Sequence, residues 1–234
     1  MRPRLVLVHG SMASSAQWAD YPGLLPDFDV VPIDLPGHGG RAGERFSTGA
    51  ALDAIGEAVD GDAPAVLAGH SLGGYLAGLF AGTRPHTLAG LALIGATGNP
   101  RSPLAGTYRG FAKLTRWVSH ERLGRSRLAL AARLGVRPEL LPEQADYATL
   151  PAVWRAVMAD CPPRVLRGVT CPVLFVNGQF DQMRINERRY RRLVPGAELA
   201  IVPRASHLAP LTHPDVVAGI LSRWAAPLVR DRRG

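Results

Sequence analysis

Apolar residues in this chain gather into six short, nearly unbroken runs. They are Arg4–Val8, Val30–Ile33, Ala65–Ala68, Leu88–Ile94, Val173–Val176 and Ala197–Val202. Runs of this length bounded by turn formers read as buried strands. Between them the pattern changes to a helical period. In Gly49–Val59 the apolar positions are 51, 52, 55, 58 and 59, with Ser47 or Thr48 available as a cap. Leu72–Ala81, Asn186–Leu193 and His213–Trp224 read as helices, the last with Pro214 in its first turn. Trp18–Leu25 is a short helix or turn. Strands alternating with helices imply parallel pairing through right-handed crossovers. The expectation is an α/β chain with a doubly wound, mainly parallel sheet of about six strands.

One interval breaks the rhythm. No strand pattern occurs from about Thr97 to Arg167. The stretch is rich in Arg, Leu and Ala, is interrupted by prolines at 103, 138, 142, 151, 162 and 163 among others, and reads as three or four short helices. The chain therefore divides into a core, residues 1–96 and 168–234, and a helical lid inserted at 97–167. A lid after the strand Leu88–Ile94 would lie at the carboxyl ends of the strands, where such sheets bind ligands. Its large aromatics are Tyr108, Phe111, Trp117, Tyr147 and Trp154. Some of them should roof a pocket, while others only pack the insertion.

Length and composition set the class. At 234 residues, 47% hydrophobic and 20% charged, the chain suits one globular α/β domain with an insertion. No apolar run is long enough for a membrane span, and Leu5–Val8 is too short for a signal-peptide core. A cytoplasmic protein is expected. Cys161 and Cys171 stand ten apart without a metal-ligand pattern and read as two thiols.

The net charge of +8 is local. Between Asn99 and Arg137 lie eight arginines and one lysine against Glu121 alone. This is either a solvated helical face or a basic flap for an acidic substrate or carrier. No nucleic-acid motif accompanies it, and no nucleic acid, membrane, metal or cofactor is expected.

Candidate chemistry centres on Ala65–Ala68 followed by Gly69-His70-Ser71-Leu72-Gly73 and a helix. Strand, sharp turn and helix are the context that a G-x-S-x-G nucleophile turn requires. The turn projects a lone serine over the N-terminus of the next helix. A Cβ at position 69 or 73 would crowd the strand–helix crossing. His9, Asp34, Gly95 and Asp181 also follow strands directly.

With His9-Gly10-Ser11, Asp34 through Gly39, Gly69 through Gly74, Gly178-Gln179-Phe180-Asp181 and Ser206-His207 in this order, the chain resembles the α/β-hydrolase superfamily over essentially its full length. Its first antiparallel hairpin is expected to be absent or much reduced. The resemblance implies the order serine, acid, histidine, hence Ser71 as nucleophile, Asp181 as acid and His207 as base. Asp34 is the rival acid, at a position that is generally structural in the superfamily. Some members place the acid after the strand equivalent to Leu88–Ile94, but here that loop reads Gly95-Ala96-Thr97-Gly98-Asn99 without a carboxylate. His9 and His70 lie in motif turns and are expected to bond backbone. His38 sits in the loop after Asp34, and His86, His120 and His213 lack strand-end placement.

An oxyanion hole is implied at the backbone N–H of Leu72 and that of Ser11, with Met12 as the alternative second donor. Met12, Phe111, Trp117, Trp154 and Leu208 are the candidate substrate-binding residues. A serine at 71 argues against the haloalkane dehalogenase and epoxide hydrolase branches. Gly10 and Leu208 depart from the hydroxynitrile lyases, which usually carry threonine and lysine there.

The expected activity is that of a serine esterase, cleaving a carboxylic ester or lactone through an acyl-serine. The alternatives are a thioesterase or tailoring hydrolase on polyketide-like or carrier-bound acyl groups, and a non-catalytic small-molecule receptor of the same fold. The expected partner is a small-molecule ester or acyl substrate, with an acidic acyl carrier as a further candidate.

Overall fold

The structure is a computed structural model that describes residues 2–84, 88–100, 128–141 and 149–230. Its centre is a sheet of six parallel strands in the order β2-β1-β3-β4-β5-β6. They are β1 (Arg4–Val8), β2 (Asp29–Ile33), β3 (Val66–His70), β4 (Gly90–Ile94), β5 (Val173–Gly178) and β6 (Glu198–Val202). The predicted α/β class and doubly wound parallel sheet are thus observed.

Strict alternation along each strand explains why the apolar runs are continuous. Val6, Val8, Leu67, Leu91, Leu93 and Phe175 point into one buried cluster, with the helices Thr48–Val59 and Leu72–Thr83. Leu5, Leu7, Val66, Ala68, Ala92, Ile94, Leu174 and Val176 point into the other, under Trp18, Tyr21 and the helix Pro214–Arg230. Both faces of a parallel sheet are covered, so neither face reads as polar.

Element ends shift for local reasons. β3 runs to His70, two residues past the predicted end, because Gly69 and His70 still pair with Leu93 and Ile94 of β4. Ser47 caps the helix Thr48–Val59, accepting from the Ala50 N–H at 3.1 Å. The last helix starts at Pro214 and continues to Arg230, past the predicted Trp224, with Pro227 inside it. Val229 extends its apolar stripe, which explains the added length. Trp18–Leu25 resolves into a 3-10 turn, Ser15–Trp18, and the short helix Tyr21–Leu24. Within the interval 97–167, residues 128–133 and Leu150–Asp160 are helical. Residues 101–127 and 142–148 lie outside the described residues. Among the described residues no helix is long and apolar enough to cross a membrane.

Candidate active site

Ser71 stands between the last residue of β3 and the helix Leu72–Thr83. Its backbone has φ 51° and ψ −113°, a region that a residue with a Cβ occupies only under strain of about 1–3 kcal/mol. Close packing holds it there. A Cβ on Gly69 would lie 2.3 Å from the Gly73 carbonyl oxygen, and one on Gly73 would lie 2.4 Å from that of Val8. The Ser71 N–H donates to Ile94 O at 2.8 Å, and the Gly73 N–H donates to His9 O at 3.1 Å. The second bond ties the turn to the loop after β1, which carries Ser11.

His207 arrives from the loop after β6 and Asp181 from the loop after β5. His207 Nε2 is 3.0 Å from Ser71 Oγ. His207 Nδ1 is 3.0 Å from Asp181 Oδ1 and 3.1 Å from Oδ2. Asp181 is buried, and its Oδ1 also accepts the Met183 N–H at 2.7 Å. Burial opposes its ionisation, but the hydrogen bond and charge of His207 and the Met183 amide outweigh burial. The carboxyl therefore titrates below its ordinary range.

The rival acid is engaged elsewhere. Asp34 Oδ1 accepts the Ser15 N–H at 2.6 Å and Oδ2 accepts the Gly40 N–H at 2.8 Å. It closes two turns. Burial opposes its ionisation, but these two amides prevail and its pKa is lowered.

The bland reading of the neighbouring histidines also matches the geometry. His9 is fully buried, donates from Nδ1 to Gly10 O at 2.7 Å, and accepts the Leu35 N–H at Nε2. Burial lowers its pKa to about 4. His70 reaches the backbone oxygen of His207. His38 Nδ1 lies 3.1 Å from Pro36 O, and His213 sits beside Thr212 Oγ1. His86 and His120 lie outside the described residues.

A small cavity opens on the serine, lined by Ser11, Ser71, Leu72, Tyr75, Val153, Trp154 and Val157. Ser11 and Leu72, the predicted oxyanion donors, are thus beside Ser71. Met12, with a positive φ of 57°, packs with Trp154 against Leu150. Leu208 packs instead with Ala131, Val136, Leu140 and Leu211 and is not among the cavity residues. Phe111 and Trp117, with Tyr108 and Tyr147, lie outside the described residues. Tyr75, Val153 and Val157 were missed as lining residues. The helical spacing of Leu150, Val153, Trp154 and Val157 carried that signal, because it marks one apolar face.

A parallel sheet presenting a strained serine, a histidine and a buried carboxylate at its carboxyl edge is the architecture of a hydrolase. The chain belongs to the alpha/beta hydrolase family, whose pattern it matches over residues 5–220. It is 29% identical to the pimeloyl-[acyl-carrier protein] methyl ester esterase of Neisseria meningitidis serogroup B, over 93% of this chain and 90% of that protein. It is 31% identical to the protein of the same name from Aromatoleum aromaticum, over 94% of this chain and 97% of the other. Its fold is similar to that of a thermophilic esterase from Thermogutta terrifontis, with a TM-score of 0.76 and 23% identity. That match covers 97% of this chain and 90% of the other. The resemblance drawn from the motifs, an esterase-like member of this family, is borne out.

Proposed function

We propose that the chain is a carboxylic ester hydrolase that works through an acyl-serine intermediate. One observation carries the reading: Ser71 Oγ, His207 Nε2, His207 Nδ1 and Asp181 form a continuous chain of contacts of 3.0–3.1 Å. A serine hydroxyl becomes nucleophilic when a base takes its proton. His207 Nε2 is placed to take it as Ser71 Oγ attacks the ester carbonyl carbon. The charge on the carbonyl oxygen falls to the backbone N–H groups of Leu72 and Ser11. Collapse expels the alcohol with the proton returned by His207. Water, deprotonated by the same imidazole, then attacks the acyl-serine and releases the acid. Asp181 holds the Nδ1–H tautomer and stabilises the imidazolium.

The substrate class follows from two supports. The relatives named above are esterases of an acyl group borne on a carrier protein. This chain carries eight arginines and one lysine between Asn99 and Arg137, a basic stretch complementary to an acidic carrier. The ester is therefore small at its alcohol end and its acyl group is carrier-bound. Residues 97–167 act as the lid over it. Trp154 in the cavity wall, on a helix inside that interval, supports this placement. Cytoplasmic residence belongs to the same reading. Cys161 and Cys171 are thiols rather than a disulfide, as suits a reducing compartment.

The direct test is covalent labelling. A fluorophosphonate should add one adduct to the intact protein, mapped to Ser71, and Ser71→Ala should abolish labelling and ester turnover while keeping the melting temperature. An adduct on Ser11 or Ser206 in the unsubstituted protein would remove Ser71 from the role.

A further inference from the structure

His70 is the last residue of β3 and immediately precedes Ser71, yet it takes no part in the chemistry above. It is buried, and its ring lies 5.0 Å from that of His207, tilted by 41°. Its Nε2 is 2.9 Å from the backbone oxygen of His207. A carbonyl oxygen only accepts, so Nε2 carries the proton. Burial, aided by the neighbouring His207, lowers the pKa of His70 to about 3.

On the Nδ1 side stands Gln17, its Oε1 3.3 Å away. That oxygen accepts the Gly10 N–H at 3.1 Å, while Gln17 Nε2 has no partner among the described residues. A Cβ on Gly10 would come within 3.0 Å of His70 Nδ1. The ring is thus wedged between two loops. One loop, after β1, leads into Ser11. The other, after β6, carries His207.

We propose that His70 is a positioning residue, whose Nε2–H grips the His207 backbone carbonyl and so keeps the histidine loop in register with the serine turn. This rests on the reading of Ser71 and His207 given above. The reason is geometric. Ser71 and His207 follow different strands, 136 positions apart, and must hold 3.0 Å between Oγ and Nε2. The bond from His70 joins the residue next to the nucleophile directly to the backbone of the base. An uncharged imidazole suits the place. When His207 takes a proton, a second positive charge 5.0 Å away would oppose it. Lysine or arginine could donate to the same carbonyl but would carry that charge.

The test compares His70→Gln with His70→Met. The two side chains have nearly the same length and volume, but only glutamine has an N–H that reaches where His70 Nε2 lies. Both are assayed on p-nitrophenyl acetate, well below their melting temperatures, beside the unsubstituted protein and Ser71→Ala. His70→Met should lower kcat by about 10- to 100-fold with KM nearly constant, the scale of a misplacement near 1 Å. His70→Gln should recover most of that loss. Should His70→Met fail to fold, His70→Asn replaces it, since its amide is too short to reach the carbonyl. Equal kcat for the variant with the donor and the variant without it overturns the proposal, as does a loss confined to KM. If the unsubstituted protein is not labelled at Ser71, or Ser71→Ala keeps its turnover, the proposed function itself fails. A labelled protein whose His70→Gln and His70→Met variants behave alike loses only the role of His70.

Discussion

Gly95 lies directly against the imidazole of His207. A Cβ at that position would stand 3.0 Å from His207 Nδ1, 3.1 Å from Cε1 and 3.0 Å from Asp181 Oδ2. The loop after β4 therefore forms the floor beneath the contact between His207 and Asp181. Its own φ of +59° adds a second demand for glycine.

Gly95→Ala should lower kcat by about 10-fold, because the Cβ must push the imidazole or the carboxylate aside by a fraction of an ångström. The strained backbone should also reduce stability by about 1 kcal/mol or more. Steady-state kinetics and thermal melting measure the two separately. A variant with unchanged kcat would mean that His207 and Asp181 can shift without consequence, contrary to their proposed roles.

The two aspartates should behave oppositely. Asp181→Asn should lower kcat by about 10³–10⁴, the loss expected when the imidazole sits in the wrong tautomer. Asp34→Asn weakens the bonds to the Ser15 and Gly40 amides and should show mainly as a lower melting temperature. Kinetics on both variants decide the matter. Loss of chemistry in the Asp34 variant alone would move the acid to that position.

Stability should decline on the acid side of neutrality. In the fold, burial holds His9 at about 4 and His70 at about 3, against 6.5 for an unperturbed histidine. Between pH 6.5 and 4 the unfolded chain therefore binds more protons than the folded one. Falling pH favours unfolding, by up to about 1.4 kcal/mol per pH unit for each ring. The depressed carboxyls Asp34 and Asp181 act at lower pH. Their contribution is present above the unfolded carboxylate range and is lost as pH falls through their folded values. Melting temperature recorded against pH should fall across the histidine window, and less steeply for His70→Gln. A flat profile from 6.5 to 4 would contradict the buried neutral rings.

Substrate choice should depend on the interval 97–167 while the chemistry does not. Trp154→Ala should shift the preference among acyl chain lengths by about 1–3 kcal/mol in kcat/KM, the scale of an apolar pocket contact, and leave the acetyl ester nearly unchanged. Phe111→Ala and Trp117→Ala test the same idea from the sequence. Replacing Arg109, Arg116 and Arg122 together should matter only for anionic or carrier-bound esters, with an effect that fades as salt is raised. Equal loss on acetyl and long-chain esters in all of these variants would show that the interval does not act as a lid.

Much of the fold could be read from one dimension because its determinants are local. The inner strands β1, β3 and β4 are buried on both faces, so Leu5–Val8, Val66–Ala68 and Leu91–Ile94 appear as unbroken apolar runs. Gly69 and Gly73 mark a backbone approach within five residues, and that is why the serine turn was legible. Asp181 and His207 were singled out by the chain order that the superfamily resemblance implies, and a parallel sheet delivers both loops to the same edge as Ser71.

What the tertiary structure alone decided is contact across that edge. Strand order placed β5 and β6 beyond β4, and only then did Gly95 become the floor beneath His207. The bond from His70 to the His207 carbonyl spans 137 positions and leaves no periodicity to detect. The engagement of Asp34 by the Ser15 and Gly40 amides, and the turning of Leu208 toward Leu211 rather than the cavity, likewise depend on how separate loops pack. Burial patterns repeat with the backbone and are written along the chain. Hydrogen bonds between loops carry no period and exist only once the sheet has brought the loops together.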